Sequence, residues 1–165
     1  MTDHIKRIFN EAQARLHDAD ILGHPSSNTM SDSQAIIRIL AFELLLKCAL
    51  LLSGKKPKRN HNYKKHWLEL PDDVRSEVLV VAIDRMLGHT DLSDIEKLLN
   101  WYQFIFEKAR YHYELYENYS LKEQRELGEY WIAIGSPTEE AVVQYYPNEL
   151  DCLITGLTTY IEKSL

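Results

Sequence analysis

A chain of 165 residues, 45% hydrophobic and 27% charged, has enough material for one domain with its own core, which excludes a disordered segment and a small scaffold that depends on disulfide staples. Its net charge of −6 excludes a general nucleic-acid coat, because that needs a basic face over most of the domain. The balance is uneven, however: KKPKRNHNYKKH, from Lys55 to His66, holds six Lys or Arg, two His and no acid, whereas His112 to Leu165 holds ten Asp or Glu against Lys122, Arg125 and Lys163.

The apolar spacing predicts a first helix over Asp3–Leu22, with Ile5, Ile8, Phe9, Ala12, Leu16 and Ala19 recurring at three and four residues. Gly23, Pro25 and the polar run through Thr29 break it. The next segment, from Ser31 to Gly54, organises the chain. Ser31 is placed to cap it with Gln34 as capping-box partner, and Gly54 to end it in the left-handed conformation. Between Ala35 and Leu52 only Arg38, Glu43 and Lys47 are polar, so this helix is apolar almost all round and must be surrounded. The charges interrupt it too often for a membrane span, which leaves other helices as its surroundings. Glu43 and Lys47 are four residues apart with the acid first, the favourable order, so the helix is expected to carry an ion pair into the core.

After the basic loop, Trp67, Leu68 and Leu70 read as a short amphipathic turn, and His61 as a cap or hydrogen-bond partner for it. Pro71 fits the first turn of a third helix with Asp72 and Asp73 at its positive end, continuing through Val74, Val78, Val81, Ala82 and Met86 to Gly88. Ser93, with Glu96 three residues on, marks the start of a fourth helix whose stripe is Ile95, Leu98, Leu99, Tyr102, Ile105, Phe106 and Ala109. It ends in Arg110-Tyr111-His112-Tyr113-Glu114. Between Ser120 and Ser136 a helix opened by SLKE competes with an extended reading of YWIAIGS. Ser136-Pro137-Thr138-Glu139 then reads as the start of a short helix stopping at Pro147, and Asn148 as the cap of a final one through Leu150, Leu153, Ile154, Leu157 and Ile161. The pattern predicts one all-α domain over residues 1–165, an up-and-down bundle of four to six helices around a central helix at about Asp32–Ser53.

The opening MTDHIKRIFNEAQARL carries no apolar signal-peptide core, so a cytoplasmic location and no membrane partner are expected. Cys48 and Cys152 lie among apolar helical neighbours and read as buried, reduced thiols. His17, His61, His66, His89 and His112 show no metal-ligand spacing, so neither a metal nor another cofactor is expected.

Three features in order carry a family resemblance. They are ExxxKxxL at Glu43, Lys47 and Leu50; the stretch HNYKKHWLELP from His61 to Pro71, downstream of Gly54; and RYxYE from Arg110 to Glu114. Together they resemble the HEPN superfamily of toxin–antitoxin, abortive-infection and other phage-defence proteins and RNases, over roughly Ile8–Glu114 and the final helix. The resemblance implies a helical bundle that forms a homodimer, with an antitoxin or defence partner protein. Active members are metal-independent endoribonucleases whose motif is Arg, four to six residues, then His. In that scheme His moves the proton of the 2′-hydroxyl or of the leaving 5′-oxygen, and Arg stabilises the phosphorane.

This chain departs from the motif, since Leu115, Tyr116 and Glu117 stand where the His belongs and His112 comes only two residues after Arg110. Arg59 and His66 have the family spacing but lie in the loop after the central helix, an accidental match. The departure favours a non-catalytic RNA- or protein-binding dimerisation module over an RNase using Arg110 and His112 in a dimer cleft. Candidate binding residues are Glu43, Lys47, His61, Tyr111, Tyr113 and Glu114, together with Lys58, Arg59, Lys64 and Lys65 of the basic loop. RNA contact is expected at that loop, with Tyr63 and Trp67 interleaved among the charges as candidate stacking surfaces. The bland alternative makes Glu43, Lys47 and Arg110 a structural triad inside the bundle.

Overall fold

The computed structural model describes residues 2–23 and 32–165, with the backbone alone for Thr2, Asp32, Ala109, Arg110 and His112. Among the described residues every regular element is helical. The order is α1 (Thr2–Leu22), α2 (Asp32–Leu52), α3 (Tyr63–Glu69), α4 (Asp72–Arg85), α5 (Ile95–Lys108), a 3-10 segment (Ala109–Tyr116), α6 (Leu121–Ala133), a single 3-10 turn (Thr138–Glu140) and α7 (Pro147–Ser164). The α-helices number seven among the described residues because the turn around Trp67 is a helix in its own right and Leu121–Ala133 is helical throughout.

The apolar circumference of α2 is the reason for its central place. Ile39, Ala41, Phe42, Leu45, Leu46, Cys48, Ala49 and Leu50 are all buried, and α1, α3, α5, α7 and the 3-10 segment pack around it. Each fully buried Leu or Phe of this set stabilises the fold by about 2 kcal/mol. The Phe42 ring meets Tyr63 and Tyr102 edge-on, both at 6.0 Å between centroids. The Tyr102 hydroxyl, buried with its ring, donates to the Tyr146 carbonyl at 2.9 Å, so no polar group is stranded there. Gly54 (φ 72°) ends α2 as expected: its N–H donates to Leu51 O at 3.0 Å and Lys55 N–H to Leu50 O at 2.8 Å. On the far side α4 lies directly on α7, where a Cβ at Gly156 would stand 2.4 Å from the Val78 carbonyl oxygen. No helix among the described residues is long and apolar enough to cross a membrane.

Several boundaries differ from those read off the sequence. The Asn62 side chain, not His61, caps α3 by accepting from Lys65 N–H at 2.8 Å. Asp94 caps α5 by accepting from Lys97 N–H at 2.9 Å, while both the hydroxyl and the N–H of Ser93 are turned to the Asp91 carboxylate. Pro71 sits one position ahead of the first turn of α4, as its N-cap, and Pro147 rather than Asn148 opens α7. The helix expected from Ser136 does not form beyond one turn. Ser136 (φ 55°) and Gly135 (φ 91°) are used to end α6, with Ser136 N–H donating to Trp131 O at 2.9 Å, so Ser136 is not free to cap a new helix. The cap assigned to Ser31 lies outside the described residues.

Candidate polyanion interface

Glu43 is the buried centre of the site, 3% exposed on the face of α2 that meets α3 and α5. The helical repeat brings Lys47 one turn on, and its Nζ lies 2.5 Å from Glu43 Oε1. The second carboxylate oxygen, Oε2, lies 2.8 Å from Nδ1 of His61, the residue just before the cap of α3. A carboxylate only accepts, so His61 Nδ1 carries the proton of this bond. The His61 ring rests on Phe106 of α5 at 4.7 Å. Burial alone pushes the Glu43 carboxyl upward, but hydrogen bonds and charge from Lys47 and His61 outweigh it and hold it below the ordinary glutamate value. With both oxygens engaged, Glu43 is a clamp between α2 and the end of the basic loop.

His66 lies close by on α3, with no exposed surface. Neither ring nitrogen has a hydrogen-bond partner among the described residues. Burial, and then the Lys47 ammonium, keep its pKa below the ordinary histidine value despite the opposing pull of Glu43 and Glu69. A neutral, enclosed imidazole is no partner for Arg59, which is exposed. Tyr63 and Trp67, interleaved with the charges in sequence, are also core residues and present no face to a base.

The cations point the other way. Lys55, Lys56, Lys58, Arg59 and Lys65 are exposed, and none lies within ion-pair distance of a carboxylate among the described residues, whereas Lys64 is paired with Glu96 at 2.5 Å. The Lys58 side chain stands against Lys65 and, with its charge, holds the Lys65 pKa below the ordinary lysine value. Two like charges side by side, in a molecule of net charge −6, are a local attractor for anions.

The RYxYE segment lies in the 3-10 segment, which follows α5 and packs on α2 and α5. Its backbone leaves helical geometry at Tyr111 (φ −127°, ψ 79°), and the Tyr111 and Tyr113 side chains stand 56% and 74% exposed with ring centroids 6.3 Å apart. Glu114 is half-buried and lies 3.4 Å from Lys108 Nζ. The side chains of Arg110 and His112, including the triad expected of Arg110, lie outside the described residues. Comparison with protein-family models, curated proteins and solved structures returned no match. Among the described residues no three His, Cys, Asp or Glu side chains are grouped as metal ligands would be.

The structure thus brings together Glu43, Lys47 and His61 as an anchor, sets Lys58 and Arg59 on the loop that the anchor holds, and places Lys65 on the first turn of α3 rather than on the loop. Lys64 is drawn away to α5. The bond between His61 and Glu43 had one weak signal in the sequence, a His downstream of a helix that carries an unpaired carboxylate oxygen into a core. The burial of His66 had none.

Proposed function

We propose that this protein is a non-catalytic helical-bundle module that binds single-stranded RNA along the stretch from Lys55 to Lys65, a loop and the first turn of α3, and works as a homodimer. The observation that carries the reading is a set of five cations, unpaired among the described residues: Lys55, Lys56, Lys58 and Arg59 on a loop clamped to the core by Glu43 and His61, and Lys65 on the first turn of α3 that follows it. Such a loop gains phosphate contacts without first having to break ion pairs, and the anchor limits the ordering entropy lost on binding. Tyr111 and Tyr113 are exposed rings of the kind on which bases stack. The resemblance to the HEPN superfamily adds a setting, toxin–antitoxin or phage defence, with an antitoxin or other defence protein as a second partner.

The test is fluorescence anisotropy with a labelled single-stranded RNA. The triple variant Lys58→Ser/Arg59→Ser/Lys65→Ser is expected to bind about tenfold or more weakly while keeping its helical circular dichroism. Equal binding by the variant would remove the loop from the interface.

A second reading, a metal-independent endoribonuclease using Arg110 and His112, is favoured by the backbone break at Tyr111, between those two residues. RNA cleavage in EDTA that is lost in a folded Arg110→Ala variant would replace the first reading with this one.

A further inference from the structure

The outer face of α6 has no partner among the described residues, and we propose that it is covered by α6 of a second copy, antiparallel, about a two-fold axis near its middle. The inference rests on the homodimer of the reading above and gives it a surface.

The helix is closed at both ends. Ser120 and Glu123 form a complete capping box, and Gly135 with Ser136 terminates the C-terminal turn. Yet no residue of α6 is buried. A capped helix of 13 residues with nothing buried is marginal in water, so its stability must come from something it packs on. One side, Gln124, Leu127 and Trp131, partly covers a cleft of 710 Å³ shared with Tyr116, Val143 and Tyr145. The outer stripe adjoins that cleft, since Gln124 and Gly128 line both. Leu121, Arg125, Gly128 and Ile132 recur at spacings of four, three and four, and line a shallow groove with Gln124 and Glu129. Leu121 is 83% and Ile132 68% exposed.

This stripe is complementary to itself in one orientation. Running antiparallel, Leu121 meets Ile132 of the second copy, and Arg125 crosses Gly128, where, apart from its chain neighbours and the nearby backbone of α6, no described atom lies within 4 Å of a would-be Cβ. The large side chain thus falls where the facing helix has none. The acid of Glu129 comes beside Arg125 of the other copy, while Lys122 is paired with Glu126 of its own helix at 3.6 Å. A parallel pairing would set each charge against itself. Self-complementarity of this kind is what a two-fold interface requires, and charges flanking an apolar seam fix the orientation of paired helices. Gly128, a poor helix former with no neighbour to accommodate among the described residues, is accounted for by the close crossing.

Because one helix per copy is a small contact, the dimer is expected to dissociate on dilution. Light scattering after size exclusion, over a concentration series of the full chain, reads the mass directly. The wild type is expected to move from monomer to dimer. Arg125→Glu and Glu129→Arg, each placing like charges together, are expected to stay monomeric at every concentration, and the double variant Arg125→Glu/Glu129→Arg to recover the dimer. All four should keep the same helical circular dichroism, since both positions are exposed. A wild type that stays monomeric, a dimer untouched by the single reversals, or a double reversal that fails to restore it would each overturn the proposal. None of these outcomes bears on RNA affinity at the basic loop, which is read separately.

Discussion

Glu43 and His61, 18 residues apart, meet at 2.8 Å between the buried face of α2 and the last residue but one before α3. That bond fixes where the basic loop returns to the bundle. The remaining oxygen of Glu43 is held by Lys47, so the anchor is complete without a ligand.

Breaking the anchor is expected to cost stability in proportion to burial. Glu43→Ala strands the Lys47 ammonium and empties a closed site, and should destabilise the fold by about 3 kcal/mol. His61→Ala, at the exposed edge, should cost about 1 kcal/mol. Urea unfolding monitored by circular dichroism measures both; equal and negligible losses would show that the pair does not hold the loop.

Two buried groups with depressed pKa values contribute pH dependence. His66 sits below its ordinary value of 6.5, so protonation favours the unfolded chain; its contribution is present above pH 6.5 and is lost as the pH falls through the native value. Glu43, held below 4.5, adds a second loss at more acid pH by the same sign. The urea midpoint is expected to decline in two stages on acidification. His66→Leu removes two buried, unpartnered nitrogens, so it should raise stability at neutral pH by about 1 kcal/mol and abolish the first stage.

The central helix, its Gly54 stop and the Glu43–Lys47 pair were legible in the sequence because each arises from local periodicity or local backbone geometry. The caps were legible only as residue types. Ser93 and Asp94 are both good caps, and the Asp91 carboxylate holds the Ser93 hydroxyl and N–H, leaving Asp94 as the cap. Ser136-Pro137-Thr138-Glu139 had the composition of a helix start, but Ser136 was already spent on ending α6. Contacts such as His61 with Glu43, and the enclosure of His66, Tyr63 and Trp67, depend on how α3 lies against α2 and α5. No spacing along the chain encodes that.

Gly156 is a packing requirement. A Cβ there would meet the Val78 carbonyl oxygen at 2.4 Å, a backbone atom that moves only if α4 and α7 separate. Gly156→Ala is expected to destabilise the fold by about 2 kcal/mol, within the range for overpacked cores. Thermal unfolding tests it, and an unchanged midpoint would mean that the two helices part freely.

Both thiols should be inert in the native protein. Cys48 and Cys152 are fully buried; burial pushes the Cys48 thiol up to about 12, and Cys48 Sγ donates to Ile5 O at 3.7 Å. An aromatic disulfide reagent is expected to modify neither thiol until denaturant is added, and rapid reaction of the native protein would contradict their burial.

The central claim is that the five exposed cations of the anchored loop and the first turn of α3 meet the phosphates of an RNA strand. The salt dependence of binding tests it most directly, because each neutralised phosphate contributes about −0.7 to the slope of log affinity against log salt concentration for a single strand. The wild type is expected to show a steep slope, and Lys58→Ser/Arg59→Ser/Lys65→Ser one that is shallower by about 2. A slope that is flat in the wild type, or the same in both proteins, would contradict the account.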